Sequence, residues 1–286
     1  MDLSIIIVSW NVREKLKENL EAIFSSRGGI NYEVIVVDNN SQDGTADMVY
    51  KDFPRVKLVA NDKNLGFARA NNQAIRIAGG RYILLLNPDM KIFPDTFVDL
   101  LGWLENHPKA DVTSVKLIDE AGEIVRHVRK FPNVWNQLAV ILKIPHFFPS
   151  VLNGYILKKF DYSQDSIVDS VRGGFFVINS KIVDKIGLLD ERFFLWFEEV
   201  DYCRRVKENG GEVWYCSAVE CLDYVGQSFK QISSLKKQKY FRDSMLKYFA
   251  KWQPTWQNRL LKIFWPIGLF SAWLAGIFKL KSKAKT

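Results

Sequence analysis

Four short aliphatic runs, each closing on polar residues and each followed by a helical pattern, constrain this chain more than any other feature. LSIIIVS (Leu3–Ser9), YEVIVVD (Tyr32–Asp38), VKLVA (Val56–Ala60) and YILLL (Tyr82–Leu86) read as strands. Val12–Ser26, Ser41–Asp52 and Phe67–Ala78, which lie between them, carry helical spacing. Runs that are apolar throughout, rather than alternating, mark strands buried on both faces. Strands alternating with helices predict an α/β fold: a Rossmann-like, mostly parallel sheet with flanking helices. Ligands of such sheets gather at the carboxyl ends of the strands. The polar residues cluster there, at Ser9 and Asn11, at Asp38–Ser41, at Asn61–Asn64 and at Asn87–Asp89.

Charge divides the chain. Residues 227–286 hold 13 Lys/Arg against the single acid Asp243, whereas residues 1–226 hold 27 Lys/Arg against 31 Asp/Glu. A slightly acidic body excludes nucleic acid as its main partner, and the basic, aromatic tail favours an anionic membrane surface. Three cysteines without a CxxC pair exclude a disulfide scaffold and a cysteine zinc site, and three histidines leave little for a histidine metal centre. No Walker A loop, GxGxxG or GxSxG sequence is present, so P-loop, classical dinucleotide-binding and nucleophile-elbow hydrolase readings lack their motifs.

The middle of the chain is less regular. Val112–Ile118 and Ile124–Val128 read as a hairpin, and 130–170 as a mixed insertion over the site. Its apolar stretch Leu138–Leu157 is broken by Pro145 and Pro149, which favours short helices over a membrane span. Val171–Asn179, Val213–Cys216 and Val219–Tyr224 read as strands. In the tail, Ile232–Lys251 is a basic amphipathic helix. Ile263–Phe278 is an uncharged one flanked by lysines and tryptophans. Sixteen helical residues span ~24 Å, short of the ~30 Å hydrocarbon core. An interfacial anchor over 255–280 is expected, the plain alternatives being a helix packed on the body or a dimer contact.

Three segments together carry a resemblance: VVDNNSQDGT (Val36–Thr45), NLGFARANN (Asn64–Asn72) with LLLNPDM (Leu84–Met90), and GGFFVIN with LDERFFLWFEEVDYCRR (within Gly173–Arg205). In this order they resemble glycosyltransferase family 2, and most of all its rhamnosyltransferase-like branch, from about residue 3 to residue 252. The resemblance implies a GT-A fold, a nucleoside-diphosphate-sugar donor, a divalent cation (Mg²⁺ or Mn²⁺) and inversion at the anomeric carbon. It divides the chain into a GT-A domain over 1–226 and the tail over 227–286. Within that domain, 1–110 is the nucleotide-sugar half and 111–226 the acceptor and catalytic half.

Residue by residue, the resemblance places Asp38 on the nucleoside, with Ser9, Asn11 and Asn40 beside it. The plain alternative for this loop is an Asx-turn, with Ser41 and Asp43 capping the next helix. Gly66 permits a tight loop after Asn64, and the free N–H groups of the following helix, with Arg69, suit the donor's charge. Asn87 and Asp89 stand at the family's metal motif, Asn replacing its first acid. Asp89 remains as ligand, and few protein ligands are normal for Mg²⁺. Gly173 and Gly174 would let backbone approach the sugar. Of the family's Glu-Asp pair, the second member is the catalytic base; here that position is Glu199, with Glu198 an acceptor or positioning contact. Asp201 is read as holding its helix. Asp223 stands where relatives often carry His before Gly-x-Ser, and is a second candidate metal ligand.

The expected function is an inverting glycosyltransferase at the cytoplasmic face of the membrane. It would pass rhamnose or another hexose to a glycan or lipid-linked acceptor. A polyprenyl-phosphate sugar synthase and a catalytically silent nucleotide-sugar-binding scaffold are the alternatives.

Overall fold

The computed structural model describes residues 1–224 and 233–283, with backbone alone at 234 and 270–283. The four aliphatic runs form β1 (Leu3–Ser9), β2 (Tyr32–Asp38), β3 (Lys57–Ala60) and β4 (Tyr82–Leu86). Helices α1 (Arg13–Phe24), α2 (Thr45–Asp52) and α3 (Phe67–Ile75) lie between them. Then follow β5 (Met90–Ile92), α4 (Thr96–Asn106), β6 (Ala110–Ile118), α5 (Val134–Ile141), β7 (Ser166–Ile167), β8 (Phe175–Asn179), α6 (Ser180–Ile186), α7 (Glu198–Glu208) and β9 (Glu212–Asp223). Two long helices, α8 (Ser234–Trp252) and α9 (Thr255–Lys283), end the chain.

The described strands make one sheet in the order β3-β2-β1-β4-β8-β6-β9-β5, with β7 pairing β9. β3, β2, β1 and β4 run parallel, and β8 enters antiparallel to β4. Alternate residues serve opposite faces, as the period of a strand requires. Ile5, Ile7, Val34, Val36, Leu84 and Leu86 join a core under α1, α2 and α4. Ile6, Ile35, Val37, Ile83 and Leu85 join another under α3, α6 and α7. Both faces are covered, which is why the runs carry no alternation. The result is an α/β, GT-A-like fold.

Two expectations change in detail, and a third, short helices over 138–157, gains its bounds. The hairpin reduces to an isolated Ile118–Ile124 bridge, made by the Asp119 amide donating to the Glu123 carbonyl and the Val125 amide to the Leu117 carbonyl. Beyond it the Tyr162 hydroxyl accepts the His127 and Val128 amides, drawing that segment off the edge of β6. The two strands near 213–224 are one strand, β9, whose register against β6 shifts between Cys216 and Glu220. The 138–157 stretch is α5 followed by 3₁₀ turns at Ile144–His146 and Pro149–Leu152, each with proline in its first turn.

The C-terminal helices pack on the body. Met245, Tyr248, Phe249 and Leu261 are fully buried against Val134, Leu138, Ile141, Phe193 and Phe197. The alternative reading, a helix docked on the body, therefore describes α8 and α9 as far as Gly268. At Gly268 α9 meets α5 so closely that a Cβ would lie 2.4 Å from the Ile141 carbonyl oxygen. Among the described residues no helix is long and apolar enough to cross a membrane.

Candidate active site

Parallel pairing sets Ser9 directly opposite Asp38, so β1 and β2 end side by side. Their loops lock together. Ser41 Oγ accepts the Asn11 amide at 2.8 Å, Asn11 Oδ1 accepts the Gln42 amide at 2.6 Å, and Asp43 accepts the Arg13 amide at 2.9 Å. Ser41 is therefore a loop tie rather than a helix cap, and the residue at the α2 N-cap is Gly44, in the left-handed region. Asp43 does accept the Thr45 amide at the first turn, at 3.1 Å. Asn40, itself left-handed, holds Gln42 through its side chain and carbonyl.

Asp38 divides its work. Its Oδ2 accepts the Ser41 amide at 3.0 Å, which is the turn. Its Oδ1 is buried and has no described hydrogen-bond partner, and the same holds for Ser9 Oγ. Buried polar atoms are almost always paired, so two neighbouring exceptions mark where a polar ligand would bind.

A cleft of about 100 Å³ is lined by the neighbours of these residues, Val8, Trp10 and Asn39, and by Asn64, Asn87, Pro88 and Phe194, while Ser9 and Asp38 themselves stand outside its lining. Asn39 belongs to the polar cluster that the sequence places at the end of β2, though without a binding role of its own. It is buried, it donates to the Gly66 carbonyl, and Asn61, itself paired with Gln73, donates to it at 3.0 Å. Asn19 was missed: it donates to the Asn87 carbonyl at 2.9 Å from the buried face of α1. An asparagine inside the Leu16–Leu20–Ile23 stripe was the available signal.

The expected anion seat at the α3 start is otherwise engaged. The Gly66 amide donates to Asn64 Oδ1 at 2.9 Å and the Phe67 amide to the Phe194 carbonyl at 2.8 Å. Gly66 has φ +84°, and a Cβ there would lie 2.6 Å from that same carbonyl oxygen. Glycine is thus required by the close approach of the Phe194 loop. Arg69 is exposed and faces Glu191 at 3.6 Å. It makes a surface ion pair, with both side chains exposed.

Asn87 and Asp89 follow β4. The Asn87 amide donates to the Gly174 carbonyl at 2.8 Å, and the Tyr224 amide donates to the carbonyl of the buried Asp89. Met90 pairs with Asp223 across β5 and β9, which brings the two candidate metal ligands to adjacent strand ends. Asp223 is buried and engages Arg172 at 3.2 Å. Val225–Ser228 of the expected Gly-x-Ser segment lie outside the described residues. Among the described residues, no group of three or more His, Cys, Asp or Glu side chains is placed to hold a metal.

Glu198 and Glu199 open α7 from a distorted entry. Trp196 and Phe197 both have positive φ, 64° and 69°. Each such non-glycine residue costs about 1–3 kcal/mol, a strain that concentrates at functional sites. One oxygen of each carboxylate, Oε2, is buried without a described partner. Burial raises both above the usual glutamate range. The charge of Glu199 raises Glu198 further, whereas backbone N–H groups and the Arg172 guanidinium hold Glu199 down. A Cβ at Gly173 would sit 3.5 Å from the Glu199 Cβ and 3.9 Å from the Phe67 ring. Gly173 therefore touches the base candidate, and Gly174 holds Asn87. Two residues bridge the strand-end wall to the α7 wall.

The α7 wall is backed by α8. Ser244 donates to the Leu195 carbonyl at 2.8 Å, and Phe241 and Tyr248 pack on Phe197 with centroids 5.5 and 5.6 Å away. Asp201, fully buried, meets Arg205 at 3.0 Å, Lys251 at 2.7 Å and the Trp252 indole N–H at 2.7 Å. It holds its own helix, as expected, and also clamps α8.

Comparison with known proteins bears on the family and the fold. The model of the family described as Glycosyl transferase family 2 matches residues 4–185. The Escherichia coli K12 protein named rhamnosyltransferase WbbL is 26% identical over 255 residues, 86% of this chain and 92% of that one. A Mycobacterium tuberculosis H37Rv protein, named N-acetylglucosaminyl-diphospho-decaprenol L-rhamnosyltransferase, is 25% identical over 212 residues, 68% of this chain and 67% of that one. The chain spans 66% and 60% of the length of two further curated relatives. A solved structure of GalNAc-T7 with UDP, GalNAc and Mn²⁺ shares the fold, with a TM-score of 0.59 at 15% identity over 86% of this chain and 48% of that one.

Proposed function

The chain belongs to glycosyltransferase family 2, in the company of rhamnosyltransferases, and from that membership we propose an inverting transfer of a rhamnosyl or other hexosyl unit. The donor is a nucleoside diphosphate sugar and the acceptor a lipid-linked glycan at the cytoplasmic membrane face. The observation that carries the reading is the pair of buried carboxylates at the α7 entry, joined through Gly173 and Gly174 to the Asn87–Asp89 turn.

Asp38 Oδ1 and Ser9 Oγ receive the nucleoside, which supplies the partners they lack. Arg172, held by Asp223, offers N–H donors to the diphosphate, the task that Asp223 itself cannot perform. Asp89 fits a cation that takes most of its ligands from substrate and water; Mg²⁺ or Mn²⁺ there would neutralise charge on the leaving diphosphate. Glu199, ionised, takes the proton of the acceptor hydroxyl as its oxygen attacks the anomeric carbon. Glu198, neutral, donates a hydrogen bond to the acceptor. The likeness to a relative named for a diphospho-decaprenol acceptor and the apolar, basic C-terminal helices support a lipid-linked acceptor.

The test is a screen of nucleoside diphosphate sugars for nucleoside diphosphate release, with and without Mg²⁺ or Mn²⁺ and with a lipid-linked acceptor. One donor is expected to turn over with inversion, read by NMR of the product. Retention of configuration, or no release with any donor, would overturn the proposal.

A further inference from the structure

We propose that the groove between α5, α8 and α9 seats the lipid diphosphate of the acceptor, with its prenyl chain on the apolar walls and its diphosphate between Lys143 and Lys237. The inference rests on the transferase reading above and gives that reading a place for its acceptor.

The groove is open to solvent and offers about 250 Å³, with Val140, Phe241, Trp265 and Leu269 among its apolar walls and Lys143 and Lys237 among its polar groups. It exists because Gly268 lets α9 touch the α5 backbone at Ile141, leaving the longer side chains to stand as walls. Neither lysine has an acidic partner among the described residues. Residues 130–160 contain Lys130, Lys143, Lys158 and Lys159 and no acid. Asp243, the single acid of α8 and α9, faces Arg242 at 3.7 Å. Lys143 is held in the left-handed region at φ 60°, a strained conformation for a lysine. Cations set in apolar walls call for an amphiphile with an anionic head.

Position supports the same occupant. Trp196 also lines the groove and stands three residues before Glu199, so the groove adjoins the catalytic entry. On the outer side, α9 exposes Trp256, Ile263 and Ile267, and the turns after α5 expose Phe147 and Phe148 at 79% and 67%. Exposed apolar residues interleaved with lysines suit a bilayer surface, from which a lipid acceptor would enter.

The experiment measures binding of farnesyl diphosphate to the full chain by calorimetry, beside inorganic pyrophosphate, farnesol and phosphatidylglycerol vesicles. Farnesyl diphosphate is expected to bind at least about tenfold tighter than pyrophosphate or farnesol. Lys143→Glu with Lys237→Glu should weaken it about tenfold or more, the size of a lost charge-assisted hydrogen bond. Leu269→Glu, at the groove rim, should weaken it as well, and Glu199→Gln should leave it unchanged. Equal binding of pyrophosphate and farnesyl diphosphate, binding to vesicles alone, or unaltered binding by both groove variants would overturn the assignment. If Glu199→Gln keeps full transfer activity while the groove variants lose binding, the catalytic reading fails and the groove stands. If Glu199→Gln is inactive while the groove variants bind as wild type, the groove fails and the catalytic reading stands.

Discussion

On the β1–β4 side of the cleft, loops tie one another down. Asn11, Ser41, Asp43, Asn39 and Asn61 spend their side chains on neighbouring backbone or amide groups, which leaves Ser9 Oγ and Asp38 Oδ1 over. On the α7 side the approach is made by force. Trp196 and Phe197 are strained, two carboxylates are buried, and the entry is held from behind by α8. A hydrogen-bonded wall suits a ligand bound the same way at every turnover. A strained wall with raised carboxyls suits proton transfer, where the group must be a stronger base than a free glutamate.

The largest expected effect breaks the second wall chemically. Glu199→Gln should lower kcat about 10²–10⁴-fold, the usual range for a general base, in steady-state transfer assays. Next is the clamp: Asp201→Ala removes the buried carboxylate that Arg205, Lys251 and the Trp252 indole share, while Arg205 keeps the Ile186 and Leu188 carbonyls and Lys251 keeps Asp190. Loss of hydrogen bonds to such a charged group costs about 1.5–3 kcal/mol, read as a lower thermal midpoint together with lower kcat.

Glu198 gives a pH test. In the folded chain its carboxyl is raised, by burial first and by the Glu199 charge second. The folded state therefore keeps a proton that the unfolded state loses above ~4.3. Stability falls as pH rises from there towards the raised value. Glu198→Gln, permanently neutral, removes this slope and should melt higher than wild type at neutral pH, converging with it below pH ~4. The smallest effect belongs to Arg69. Its pair with Glu191 is exposed, so Arg69→Ala should shift stability by less than about 1 kcal/mol and donor Kd by less than about twofold.

The strand runs were legible because burial on both faces writes itself into sequence as unbroken aliphatic residues. The carboxylates were legible because their spacing survives in the three motifs. What the linear chain hides is which polar groups are already used. Arg69 and the Gly66–Phe67 amides read as a free anion seat, yet Glu191, Asn64 and Phe194 occupy them from 2 to about 130 positions away. Asp223 reads as a ligand and is found holding Arg172. The α8 helix reads as part of a basic tail, because Lys251 looks like surface charge until Asp190 and Asp201 are seen beside it.

The most direct measurement crosses the two walls: donor Kd by calorimetry and kcat by transfer assay, for Asp38→Ala and Glu199→Gln side by side. Asp38→Ala should raise donor Kd about tenfold or more while retaining most of kcat at saturating donor. Glu199→Gln should keep the wild-type Kd and lose kcat. If each variant loses affinity and turnover alike, the two walls do not have separate tasks and the account is wrong.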